Sequence, residues 1–254
     1  MQDNEARKAA PLAIGTVLGG AFGVMRGNPA TVFAIAFLLG ALPQQLFGYL
    51  LTVETGDNPN AQLGKGALFF GFLVVFLLGS MLSQAALVRT TSAYLEGRSI
   101  GLGESLRGGL AKVLPLLGLS ILLGLGVMLG MALLFVPGVI LFVMWSVAAP
   151  ALVEEDAGVT EAFGRSRALT KGARWRIFFV MVVALVITWL LAAVAAIPGA
   201  ILSEGSGIAG TLVVGAFTAT ITTALWSTLL TSLYFTLRER GEGPQTDRLA
   251  EVFA

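Results

Sequence analysis

The chain contains no histidine and no cysteine. Without them Ser-His-Asp triads, Cys-His nucleophiles and the usual zinc sites cannot be assembled, and no disulfide can form. Charge is scarce, at 12% Asp, Glu, Lys and Arg against 56% hydrophobic residues. It is also absent where transport would need it. No Asp, Glu, Lys or Arg interrupts the cores of the long apolar runs, which disfavours proton- or ion-driven transport. The Gly-rich stretch at Gly101–Gly108 has no lysine followed by Ser or Thr, so it is no P-loop. The acidic residues cluster only at Glu154, Glu155 and Asp156. With no further carboxylates or spaced Asn and Gly positions nearby, they read as a solvated turn rather than a cation loop.

What is present is apolar and arranged in blocks. Ala30–Val53, Gly66–Val88, Val113–Val136, Gly138–Val153, Ile177–Ile197 and Gly207–Leu237 carry no charged side chain, and crossing the hydrocarbon core takes about 20 such residues. Five runs span outright. The short fourth spans as the return leg of a hairpin with the third, and the sequence places that turn at Pro137-Gly138. The long sixth run must tilt or project. This predicts an all-α membrane protein with six transmembrane helices.

Its direction follows from the basic residues. Of 16 Lys and Arg, only Lys65 falls in an odd-numbered gap between runs. Short basic loops stay cytoplasmic, so both termini are expected there. No compact signal-peptide core precedes the first run.

The chain also repeats itself. GLGESLRGGLAKVLP (Gly101–Pro115) precedes the third span and GVTEAFGRSRALTKGARW (Gly158–Trp175) the fifth. FVPGVIL (Phe135–Leu141) and AIPGAIL (Ala196–Leu202) follow in matching places. A weaker copy, Ala13–Pro29, opens the chain, and its first span holds Pro43. Units at 12–98, 99–155 and 156–240 result, each an interfacial amphipathic segment followed by two spans, with a flexible tail at 241–254. In the third unit Val159, Ala162, Phe163 and Leu169 form the expected apolar face. In the first, Gly15, Gly19, Gly23 and Gly27 make a ladder suited to close helix contact or to a mobile helix.

Two sets of residues stand out as binding candidates. Arg89, Arg107, Arg165, Arg167, Lys171, Arg174 and Arg176 form a basic interfacial collar, matched to lipid phosphate or to a partner, although snorkelling anchors have the same composition. Gln44, Gln45 and Gln84, with Thr220, Thr223, Ser227 and Thr231 in helical register, make an intramembrane polar set. Such a set borders a hydrated path or serves helix packing.

The stretch from Pro137 to Phe179 resembles the signature region of the glycerophosphoryl diester phosphodiesterase membrane-domain family and related six-span bacterial inner-membrane proteins. The parts that carry the resemblance are Pro137-Gly138, Trp145-Ser146 to Pro150, Glu154-Glu155, Glu161-Ala162-Phe163, Arg165-Ser166, Leu169-Thr170, and Lys171–Arg176 with Trp175. The resemblance implies a helical membrane domain without the catalytic domain. The missing histidines independently exclude that domain's chemistry.

The expectation is therefore a non-enzymatic multi-pass protein of the bacterial inner membrane, without cofactor, with a structural, interaction or lipid-associated role in envelope homeostasis. Its partners would be membrane lipids, anionic ones included, and a protein or a second copy of the chain, with no nucleic acid. The alternative is a passive conduit or flippase for a lipid or small amphiphile.

Overall fold

A computed structural model describes residues 13–52, 59–206 and 208–242. The tail beyond residue 242, and with it Arg248, lies outside the described residues, as do Arg7 and Lys8. Eleven α-helices and one π-helical turn account for nearly all of the described chain, and no strand occurs among the described residues. Six segments are long and apolar enough to cross a membrane: Pro29–Leu51, Gly64–Leu95, Val113–Leu133, Phe135–Glu154, Arg174–Pro198 and Gly210–Glu242. The protein is an all-helical multi-pass membrane protein.

The order of elements is a short helix and two spans, three times over. Helix α1 (Ile14–Gly27) leads into the first span, built of α2 (Pro29–Ile35), a π-helical turn (Ala36–Ala41) and α3 (Leu42–Thr52), and the chain returns through α4 (Pro59–Leu95). Helix α5 (Leu102–Leu110) leads into α6 (Val113–Leu133), which returns through α7 (Phe135–Met144) and α8 (Ala148–Glu154). Helix α9 (Val159–Thr170) leads into α10 (Arg174–Ser206) and α11 (Ile208–Glu242).

Each short helix packs on a return span: α5 on α4, α9 on α8, and α1 on α11. The last pairing joins the first and last described helices and closes a ring. All three contacts use small or hydroxyl side chains, as expected where close backbone approach replaces a hydrophobic driving force. Gly20 of α1 faces Ser232, and a β-carbon there would come within 3.0 Å of its Oγ. Ser105 of α5 shares a 2.9 Å hydrogen bond with Thr90. Gly109, one turn on, lets that helix approach Ala86.

The third contact repairs a break. Pro150 has no N–H to give to the carbonyl four residues before it, and the fourth span interrupts its helix at Trp145–Val147. The Met144 carbonyl then accepts from the Ser166 hydroxyl at 2.9 Å and the Thr170 hydroxyl at 3.3 Å. Irregular backbone inside a membrane protein survives only where such partners are supplied. The buried line of α9 is therefore Ala162, Ser166 and Thr170. The expected apolar face is displaced: Val159, Phe163 and Leu169 are only half-buried.

Two further expectations need correction. The hairpin between third and fourth spans turns at Leu134, whose backbone is extended (φ −162°, ψ 141°). Pro137 sits in the first turn of α7, where its missing N–H costs nothing. Gly138 still matters, because it lets the two legs touch at Gly130 and Met131. The glycine ladder of α1 gives close helix contact only at its far end. Gly15 and Gly19 face open space, Gly23 and Gly27 lie against Tyr94, and the buried residues are Val17, Ala21 and Val24.

Burial is concentrated at the end where the short helices lie. One core there joins Val17 and Ala21 to Val147, Ala151, Ile177, Val180, Leu233 and Tyr234. At the opposite end Leu133 and Phe135 are 79% and 72% exposed, and Trp189, midway along α10, is 73% exposed. Such side chains are the ones that lipid covers.

Candidate functional site

Basic residues from three places converge on one groove at the ring end. Helix α9 ends at Thr170, the turn Lys171–Ala173 reverses the chain, and α10 begins at Arg174. Gly172 takes the left-handed backbone conformation the turn needs (φ 82°). Arg240 arrives from the end of α11. Together Arg167, Lys171, Arg174, Arg176 and Arg240, with Trp175, line a cavity of about 800 Å³. No acidic side chain among the described residues lines it. The Arg174 Nε is buried and has no hydrogen-bond partner. Trp175 is 76% exposed, as an aromatic anchor at the membrane–water boundary would be. The start of α10 adds its unpaired N–H groups and positive helix end to the same place. Guanidinium groups offer forked donors that match phosphate oxygens. Four of the five cations are expected collar residues; Arg240 was not among them.

Arg165 belongs to the expected collar but does something else. Its Nε donates to both Glu155 oxygens at 2.8 Å, and an Nη pairs with Glu242. The Tyr234 hydroxyl donates to the same Glu155 carboxylate at 2.6 Å, while Arg238 reaches Glu242 at 3.4 Å. Burial lowers and the two carboxylates more than restore the Arg165 pKa, which ends above its ordinary value. This network ties α9 and the turn after α8 to the end of α11. The acidic turn is thus only partly the solvated feature expected from sequence. Asp156 is exposed and pairs with Lys112, whose ammonium holds the Asp156 carboxyl below its usual range, but Glu155 is a structural acceptor.

Arg89 and Arg107 sit apart, in a second recess of about 810 Å³ that also contains Arg98, Glu104 and Glu154. Arg89 packs on Gly108, and its Nε too is buried without a partner. Two carboxylates offset two of the three cations in this recess, whereas the groove has none.

The intramembrane polar residues divide. Gln44, Gln45 and Thr223 line one cleft of about 600 Å³ between the first, fifth and sixth spans. Thr220 and Thr231 are buried and return their hydroxyls to the carbonyls of Ala216 and Ser227. The Ser227 Oγ is buried without a partner, and Gln84 lies half-buried on α4, outside the cleft. Of the expected stripe only Thr223 reaches the cleft, where Thr211, Thr218 and Thr222 of the same helix join it.

Among the described residues no cluster of His, Cys, Asp or Glu could hold a metal ion. Compared with family models, with curated proteins and with solved structures, the chain finds no match.

Proposed function

We propose that this protein is a non-enzymatic, lipid-associated component of the bacterial inner membrane that binds the phosphate of an anionic lipid in the groove of Arg167, Lys171, Arg174, Arg176 and Arg240. The groove and both termini face the cytoplasm, where anionic head groups and the basic-loop rule favour them. The role is structural, in envelope homeostasis. The observation that carries the reading is the gathering of five cations and no acid around a cavity of head-group size, beside an exposed tryptophan. The absence of histidine and cysteine supports a binding rather than a catalytic role.

The test is lipid binding by the full chain in nanodiscs of phosphatidylcholine titrated with phosphatidylglycerol. Each juxtamembrane cation contributes about 1 kcal/mol toward an anionic surface, so Arg167→Gln with Arg174→Gln should weaken phosphatidylglycerol binding about thirtyfold. Equal binding by the double variant, or no preference over phosphatidylcholine, overturns the reading. Orientation has its own check, because the natural chain has no cysteine. A membrane-impermeant thiol reagent outside the cell should label Leu134→Cys and leave Glu239→Cys unlabelled; the reverse pattern inverts the topology.

A further inference from the structure

At the end of the membrane opposite the basic groove, the first span is not an ordinary helix. Pro43 has no N–H for the Leu39 carbonyl, and the chain widens into a π-helical turn over Ala36–Ala41. Gly79 of α4 comes close enough that a β-carbon would stand 3.0 Å from that carbonyl oxygen, and Gly40 fits against Thr223 in the same way. The turn is thereby wedged between the second and sixth spans, directly before Gln44 and Gln45.

Gln45 is half-buried, and its carboxamide lies on Gly215, where any β-carbon would overlap it. Neither Gln44 nor Gln45 makes a side-chain hydrogen bond within the described residues, and neither do the hydroxyls of Thr222 and Thr223. That sets Thr222 apart from Thr218, Thr220 and Thr228, which return their hydroxyls to the carbonyl four residues earlier. Unpaired amides inside a membrane are costly, and a site that keeps several of them together has a use for them.

All four side chains border the 600 Å³ cleft, whose other wall is Ala192, Ala195, Ala196 and Val214. No charged residue among the described residues lines it. Depth can be read along the helices. At 1.5 Å per residue, Gln44 lies about 22 Å from the start of the first span at Pro29, and Thr222 about 24 Å from Arg238. In a hydrocarbon core about 30 Å thick both lie in its outer third, and Ala196 of the same cleft, about 33 Å from Arg174, reaches the glycerol-ester level of the far leaflet.

We infer that this cleft is a second lipid site, selective for the glycerol-ester portion of a neutral, hydroxyl-bearing amphiphile of the diacylglycerol type. The amides and hydroxyls each donate and accept, which suits a hydroxyl beside ester carbonyls. A charged head group would lose its hydration here with no counter-charge to replace it. The alanine wall leaves room for the first methylenes of the acyl chains, and the cleft opens toward lipid along Gln44 and Ala196, both exposed.

The experiment uses the full chain in phosphatidylcholine nanodiscs with a photoreactive diacylglycerol, and in parallel a photoreactive phosphatidylglycerol, with adducts mapped by mass spectrometry. Diacylglycerol adducts should concentrate on 42–51 and 211–223. They should fall about tenfold in Gln45→Leu and in Gly215→Leu, the loss expected when one or two hydrogen bonds go or the cleft is filled. Arg174→Gln should leave them unchanged while reducing phosphatidylglycerol adducts, so this site and the basic groove can fail independently. Thr222→Val, which adds no bulk, guards against misfolding of Gly215→Leu and should also lower labelling. Adducts spread over the lipid-facing surface, labelling unchanged in Gln45→Leu and Thr222→Val, or equal labelling of the cleft by phosphatidylglycerol would each overturn the inference, leaving a water-filled dent.

Discussion

Arg165 and Arg167 leave the same short helix two residues apart and meet opposite surroundings. Arg165 is held by Glu155 and Glu242, carboxylates that close the ring of helices. Arg167 faces a groove in which every charge has the same sign. A cation whose field is already answered by a carboxylate contributes to stability and offers little to a ligand. A group of cations left unanswered repels itself, destabilises the fold slightly, and recovers that cost when an anion arrives. The pair therefore separates a structural use of charge from a binding use within one turn of helix.

The sharpest way to break this comparison is to remove the structural acceptor. Glu155→Ala removes one of the two carboxylates that hold the Arg165 guanidinium and strands the hydroxyl of Tyr234, which is fully buried. Loss of about 3 kcal/mol is expected, at the low end for a broken buried pair because Arg165 and Glu155 keep some contact with water. Unfolding in detergent, followed by tryptophan fluorescence, measures it. Phosphatidylglycerol binding to the folded fraction should survive. Should stability hold while binding fails, the two arginines have been assigned the wrong way round.

A smaller effect is expected where the fourth span breaks. Ser166→Ala with Thr170→Val removes both hydroxyls from the Met144 carbonyl, leaving a buried acceptor short of partners at a cost of about 1.5 kcal/mol. The same experiment separates fold from groove, since neither residue lines it. Retained stability would mean that the break at Trp145–Val147 is satisfied by something other than α9.

These contrasts also mark what could be read from the chain. Six spans and their alternation follow from blocked hydropathy and from the placement of Lys and Arg, both local properties. The groove was largely legible, because Arg167, Lys171, Arg174 and Arg176 lie within ten residues of one another. Arg240 was not, since it comes from the far end of the chain. Nor was the role of Arg165, whose partner Glu242 is 77 residues away. The Thr stripe divides for a related reason, Thr220 and Thr231 being buried in packing while Thr223 reaches the cleft. Helical spacing permits several stripes on a threonine-rich span, and which one is covered depends on the π-helical turn of a span distant in sequence. Pro137 misplaced the hairpin because proline is as comfortable in the first turn of a helix as in the bend before it.

The smallest effect tests charge pairing at the water's edge. Lys112 has a nearly buried side chain, 11% exposed, while its partner Asp156 is 79% exposed. The Lys112 contact, through its hydrogen bond first and its charge second, lowers the Asp156 pKa. A carboxyl whose folded pKa is depressed contributes stability that is fully present above its unfolded value, about 3.9, and is lost as pH falls through the lower folded value. Solvent screening on the exposed side keeps the contribution to about 0.5 kcal/mol. Asp156→Asn is a clean probe because Asp156 has a positive φ of 52°, a conformation asparagine also tolerates. Other carboxylates titrate in both proteins, so the difference between their stability curves isolates this one. That difference should be constant above about pH 5 and shrink toward zero below about pH 4. A gap that persists undiminished into acid would mean that Asp156 acts through the turn's backbone and not through Lys112.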